Sequence, residues 1–170
     1  GVAATPLLEI SRIRLPGRHN VENYMTAIAL TWGYATPADV GAVADSFRGV
    51  PHRLELVREI PRTGGAIRFY NSSIDSSPTR TAAALSALGE RPIIVICGGY
   101  DKNIPYEPLV LPLFEHAKAA VLTGATAEKI YKAITDNSEF EKSELKIYRE
   151  PIFEEAVKKA RDIAHTGATV

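Results

Sequence analysis

Apolar residues recur along this chain with two different periods, and the change between them divides it. Over residues 20–32, Val21, Tyr24, Met25, Ile28 and Ala29 fall three and four apart, which is the spacing of one helix face. Asn20 stands where an N-cap would, and Gly33 where the helix would stop. A second helix is predicted from Thr36-Pro37, a cap residue with proline in the first turn, to about Phe47. Ahead of both, residues 7–15 alternate imperfectly and predict a strand that Pro16-Gly17 breaks. Arg48-Gly49-Val50-Pro51 then punctuates the chain.

Beyond that point the period shortens to two. Leu54, Leu56 and Ile60 alternate with polar residues, as do Ile67 and Phe69, and Thr63-Gly64-Gly65 lies between the runs, predicting a β-hairpin. A helix follows over 78–88, capped by Ser76 or Ser77. Residues 93–97 are apolar throughout, as in a strand buried on both faces. Helices are then predicted over 109–117 (despite Pro112), 125–134 and 152–164, with strands over 120–122 and 145–148. Thr169-Val170 would begin one more strand. This alternation predicts an α/β fold, a Rossmann-like, mostly parallel sheet flanked by helices with right-handed crossovers. It occupies residues 49–170, behind a helical stretch over 1–48. Open sheets of this kind bind ligands at the carboxyl ends of their strands, which singles out the loops 71–77, 98–105 and 123–126.

Composition narrows the function classes. The 170 residues suffice for one domain with an appendage. Lys+Arg and Asp+Glu number 20 each, with no run of like charge, so a nucleic-acid partner is not expected. No apolar run is long enough to cross a bilayer, and no signal peptide opens the chain, so no membrane role is expected. The first residue is Gly1 and the last residues open an apolar run, so both ends are expected to be cuts from a longer chain. The one cysteine, Cys97, lies inside the apolar run and reads as a buried strand thiol. His19, His52, His116 and His165 form no H-x-x-x-H or H-E-x-x-H pair, so no metal site is expected. No catalytic residue can be assigned from spacing.

Two of the singled-out loops carry candidate chemistry. The stretch Asn71-Ser72-Ser73-Ile74-Asp75-Ser76-Ser77-Pro78 is rich in hydroxyls and leads into a helix N-terminus, where free N–H groups favour an anion. An ordinary N-cap with solvent-facing serines explains it equally well. Arg80, in the first turn, opposes the helix dipole and needs an anionic partner or solvent. In Gly98-Gly99-Tyr100-Asp101-Lys102-Asn103 the paired glycines allow close approach, and Lys102 is a mobile point charge suited to phosphate or carboxylate. A tight turn with a solvated charge pair is the alternative. The chain contains neither a G-x-x-x-x-G-K-[ST] phosphate loop nor a G-x-G-x-x-G dinucleotide fingerprint. The second absence argues against a dinucleotide-binding oxidoreductase.

Taken in order, these segments resemble the Mur ligases. Leu15-Pro16-Gly17-Arg18-His19-Asn20-Val21-Glu22-Asn23 is similar to the G-x-H-N-x-x-N stretch closing the family's central ATPase domain. Phe47-Arg48-Gly49-Val50-Pro51-His52-Arg53-Leu54-Glu55 is similar to the F-x-G-x-x-H-R-x-E hinge into its C-terminal, amino-acid-binding domain. The loops at 71–78 and 98–105 follow in the family's order and spacing, and resemble most the members that add D-glutamate. The resemblance implies a cytoplasmic, ATP-dependent ligase of peptidoglycan precursor synthesis, of which this chain is a C-terminal part, inactive alone. In that reaction ATP, with Mg²⁺ bridging its phosphate oxygens, phosphorylates the carboxylate of UDP-MurNAc-L-alanine. The amino group of D-glutamate attacks the acyl phosphate.

The resemblance also implies roles for individual residues. Asn20 and Asn23 would contact the adenine side of ATP, and Arg53 its phosphate or ribose. The ribose position of the loop falls on Ser72. Lys102, with Arg80 and Ser76, would bind the amino-acid substrate. The common loop pattern is N-D-S-K-A-T-N; here Ser72 replaces its Asp and Ile74 its Lys. The phosphate loop and magnesium ligands would lie upstream of Gly1, in the remainder of the same enzyme. Folylpolyglutamate synthases share the fold and also add glutamate, and a non-catalytic Rossmann-like binding module is the reading from a different class.

Overall fold

The computed structural model describes residues 6–89 and 91–170, so the first five residues of the predicted helical stretch lie outside it. The chain divides into two compact units, Gly1–Val50 and Pro51–Val170.

The first unit holds two helices, α1 (Arg18–Leu30) and α2 (Pro37–Ser46). The second begins as its sequence predicts. Thr36 Oγ1 accepts from the Asp39 N–H at 3.3 Å while the Asp39 carboxylate accepts from the Thr36 N–H at 2.9 Å, a reciprocal cap with Pro37 in the first turn. Three expectations are corrected. Residues 7–15 form no strand; they contain a 3₁₀ turn, Ile10–Arg12. Arg12 instead bonds Asp45 at 2.6 Å and lies against Gly41, where an added Cβ would meet its guanidinium at 2.8 Å. Asn20 does not cap α1. Gly17, at φ 93°, turns the chain one residue before Arg18, and the Asn20 amide donates back to the Pro16 carbonyl at 2.7 Å. The helix ends at Leu30, and Gly33 sits in the turn beyond it. Val21, Tyr24 and Ile28 of the apolar stripe that predicted α1 are half-buried, whereas Met25 within it and Trp32 beyond the helix are 64% and 69% exposed.

The second unit is the α/β domain. Its strands are β1 (Glu55–Arg62), β2 (Gly65–Asn71), β3 (Ile93–Gly98), β4 (Ala117–Thr123) and β5 (Lys146–Arg149). Its helices are α3 (Pro78–Ala87), α4 (Glu107–His116), α5 (Ala127–Thr135) and α6 (Phe153–Ile163), with a short 3₁₀ turn, Phe140–Lys142, that the sequence pattern does not announce. β1 and β2 pair antiparallel as the predicted hairpin, with a bulge between Leu56 and Arg58, and Leu56 is 49% exposed. β3, β4 and β5 pair in parallel in that order.

The C-terminal residues join the two groups of strands. Thr169 bridges Arg68 of β2 and Ile93 of β3, in parallel with both. The Arg68 N–H donates to Ala168 O at 3.1 Å, the Tyr70 N–H to Val170 O at 2.8 Å, and the Ile94 N–H to Thr169 O at 2.8 Å. Every pairing from β2 to β5 is therefore parallel, and among the described residues only the edge strand β1 runs the other way.

Side chains alternate across this sheet. Ile93 and Cys97 of β3, with Ala120 and Leu122 of β4, face a core completed by Leu85, Leu109, Val110, Leu113, Ile130 and Ile134 from α3, α4 and α5. Ile94, Ala119 and Val121 face the other way, onto Ala156 and Ala160 of α6. Helices thus cover both faces, which is why residues 93–97 are apolar without interruption. Cys97 lies in the first core, where burial pushes its thiol pKa up to about 12.

Ser77, not Ser76, caps α3: its Oγ accepts from the Arg80 N–H at 3.4 Å, and Pro78 fills the first turn. Ser77→Ala is expected to lower stability by about 1 kcal/mol, as loss of an N-cap acceptor generally does, whereas Ser76→Ala leaves it unchanged. Urea denaturation of the two variants checks this.

Candidate functional site

Parallel pairing from β2 to β5 places the carboxyl ends of these strands along one edge of the sheet. The loops 71–77, 98–105 and 123–126 all leave from that edge. The ends of β2 and β3 are separated by the single strand at 168–170, about 10 Å at ordinary strand spacing.

Backbone contact fuses two of these loops. An added Cβ on Gly98 (φ 142°) would lie 1.7 Å from the Thr123 carbonyl oxygen, and one on Gly124 would meet the Gly99 nitrogen at 2.9 Å. The loops after β3 and β4 thus pack main chain to main chain, a contact only glycine permits. Asp101 is fixed across the same junction: Lys129 of α5 reaches its carboxylate at 2.5 Å and the Asn103 N–H donates to it at 2.9 Å. Those two bonds, Lys129's first, hold the Asp101 carboxyl below the usual carboxylate range. The alternative reading of a solvated Asp101–Lys102 charge pair does not hold, because Asp101 pairs with Lys129. Lys102 is exposed and makes no ion pair among the described residues.

The loop after β2 is tied to the segment that opens the second unit. His52 (φ 64°) and Leu54 (φ 45°) adopt left-handed backbone, which is uncommon for such residues. Hydrogen bonds hold them there: the Ile74 N–H donates to His52 O at 3.2 Å, the Leu54 N–H to Ser72 Oγ at 3.2 Å, and the Asn71 amide lies 2.9 Å from His52 Nδ1. The His52 N–H in turn donates to Glu55 at 2.8 Å. Arg53, between the two strained residues, is exposed and unpaired among the described residues. Ser72 Oγ donates to the Asp75 carboxylate at 2.7 Å. Arg80 and Ser76 are exposed at the start of α3 and in the turn before it.

In the first unit, Asn20 and Asn23 lie one turn apart on α1, with the Asn23 amide 3.4 Å from Asn20 Oδ1. The groove lined by Ile10, Ile13, Leu15, Val21 and Met25, about 670 Å³, has neither asparagine in its lining. Among the described residues no group of three or more His, Cys, Asp or Glu side chains could hold a metal ion. No helix of the described residues is long and apolar enough to cross a membrane.

Residues 52–170 match the family described as Mur ligase, glutamate ligase domain. The chain belongs to the Mur ligase family. A curated Mur ligase of Ruminiclostridium cellulolyticum, UDP-N-acetylmuramoylalanine–D-glutamate ligase, is 43% identical over 96% of this chain and 34% of its own length. The chain spans about a third of the length of the curated relatives it matches. Among solved structures, the UDP-N-acetylmuramate–alanine ligase of Thermotoga maritima aligns over 92% of this chain and 34% of its own, with a TM-score of 0.65 at 18% identity. The folylpolyglutamate synthase of Mycobacterium tuberculosis aligns over 92% and 37%, with a TM-score of 0.64 at 13% identity. These two likenesses establish the shared Mur ligase fold, which accords with the Rossmann-like sheet the strand pattern predicts.

Sequence reasoning chose the loops by topology but missed their partners. The Lys129–Asp101 pair, the Gly98–Thr123 contact and the Ser72–Asp75 bond each join residues whose proximity depends on a turn or crossover. The one available signal was Asp75, an acid within the hydroxyl-rich loop after β2.

Proposed function

We propose that this chain is the C-terminal part of a cytoplasmic, ATP-dependent ligase that adds D-glutamate to UDP-MurNAc-L-alanine in peptidoglycan precursor synthesis. The observation that carries this reading is the 43% identity, across 96% of the chain, to a relative named for D-glutamate ligation. The folylpolyglutamate alternative has only a likeness of fold behind it.

In this reading residues 49–170 are the amino-acid-binding domain, and residues 1–48 are the end of a central ATPase domain. The uncovered Met25 and Trp32 support the second assignment, because large exposed apolar side chains call for a covering partner. Asn20 and Asn23 offer amide donors and acceptors to a base edge. Arg53 offers an unpaired planar cation to phosphate or ribose. Lys102 and Arg80, with Ser76, lie in or just after loops that leave one sheet edge and bind the D-glutamate substrate, the two cations its carboxylates. ATP provides the phosphoryl group that activates the acceptor carboxylate. Among the described residues the acid groups form no donor set suited to Mg²⁺.

The test is direct. The complete enzyme is expected to release ADP only when UDP-MurNAc-L-alanine and D-glutamate are both present, and this chain alone to release none. Release by the complete enzyme with L-glutamate and a folate in their place would favour the folylpolyglutamate reading. Release by the chain alone would show that it is not a dependent part.

A further inference from the structure

The loop after β2 contains a carboxylate at an unexpected place. The pattern N-D-S-K-A-T-N has its acid second and alanine fifth; this chain has Ser72 second and Asp75 fifth. The fold brings those two positions together. The chain turns back between them, with the Asp75 N–H donating to Ser72 O at 2.9 Å, and the side chains meet at 2.7 Å. A carboxylate on residue 75 therefore lies within one hydrogen bond of where a side chain on residue 72 ends.

The hydrogen-bonding capacity of the pair shows which member faces a ligand. A serine hydroxyl has one proton to donate. Ser72 gives its proton to Asp75 Oδ2 and accepts from the Leu54 N–H at 3.2 Å. It is thus anchored to the segment at 52–55 and has no proton left for a ligand. Asp75 Oδ1 has no partner among the described residues, and Asp75 is only half-buried. A carboxylate accepts hydrogen bonds through both oxygens and donates none, which suits a ligand presenting neighbouring hydroxyls.

We infer that Asp75 is the hydroxyl-binding carboxylate of this loop, relocated from the second position to the fifth, and that Ser72 is its positioning residue. This rests on the ligase reading above, in which the hydroxyls belong to the ribose of ATP. Ser72 orients Asp75 from one side while holding Leu54 in its left-handed conformation, so the acid and the segment opening the second unit share one anchor.

The experiment measures kcat/KM of the complete enzyme for ATP and for 2′,3′-dideoxy-ATP. The wild type should prefer ATP by about tenfold or more, as expected when hydroxyls bonded to a charged acceptor are removed. Asp75→Asn keeps the shape and removes the charge, and the preference should fall several-fold, toward one. Ser72→Ala leaves the acid unanchored and should give an intermediate preference. The double variant S72D/D75A returns the acid to the second position and should restore the wild-type preference; it also serves if Asp75→Asn fails to fold. A wild type without preference, an unchanged preference in Asp75→Asn, or a folded S72D/D75A without preference would each overturn the inference. A complete wild-type enzyme with no ATP-dependent ligation would overturn the ligase reading, and this inference with it.

Discussion

Gly98→Ala is expected to destabilise the second unit by at least about 3 kcal/mol, combining overpacking with left-handed strain. The methyl group would lie 1.7 Å from the Thr123 carbonyl oxygen, far inside contact distance, and the obstacle is main chain at the end of β4. Relief requires moving β3 from β4, the central parallel pair of the sheet, whose Ile93, Cys97, Ala120 and Leu122 line the larger core. Small domains have only about 5–15 kcal/mol of net stability, so such a loss would be visible at once in a urea titration. Gly64→Ala is the matched comparison. Gly64 also has positive φ, 82°, but an added Cβ there meets nothing within 4 Å. That variant should lose about 1 kcal/mol from strain alone. Equal losses in the two variants would show that the Gly98–Thr123 contact is not what demands glycine.

Lys102→Ala in the complete enzyme is expected to lower kcat/KM for D-glutamate by about tenfold to a hundredfold, the usual effect of losing one charge-assisted contact. The change should fall mainly on the apparent KM for D-glutamate and little on that for ATP. The competing account made Lys102 half of a surface pair with Asp101. The structure gives Asp101 to Lys129 and Asn103, leaving the Lys102 ammonium without an ion pair among the described residues. It also sits just past the end of β3, on the edge where parallel sheets take ligands. Arg80→Ala should have a comparable effect if Arg80 supplies the charge that Ile74 lacks. A D-glutamate KM within about twofold of wild type in both variants, as for a weak exposed charge, would remove these loops from the amino-acid site.

Much of the architecture was legible in the sequence because periodicity reports burial directly. The unbroken apolar run at 93–97 required cover on both faces, and α3, α4 and α5 on one side and α6 on the other supply it. Thr36-Pro37 and Ser77-Pro78 marked helix starts because a cap is a local hydrogen bond between residues three apart. Local logic failed where a competing contact was stronger. Asn20 had the chemistry of an N-cap, but the Gly17 turn had already started the helix. Residues 7–15 had a strand's alternation without a partner strand, and a strand needs one to satisfy its backbone.

What the sequence determined by itself was the helices and strands between residues 54 and 163 and the parallel run of the later strands, which follow from short-range patterns. What the tertiary structure decided was partnership. Two residues at the C-terminal end, Thr169 and Val170, complete the sheet between β2 and β3, although more than a hundred positions separate Arg68 from its partner Thr169. Lys129 rather than Lys102 neutralises Asp101, and Ser72 is bound to Asp75 and Leu54 rather than open to solvent. Each of these pairings depends on a turn or crossover bringing the two groups within about 3 Å, and hydrogen bonds weaken steeply beyond such distances. Periodicity specifies which face of an element is buried, whereas the identity of the neighbour is fixed only when the whole chain closes.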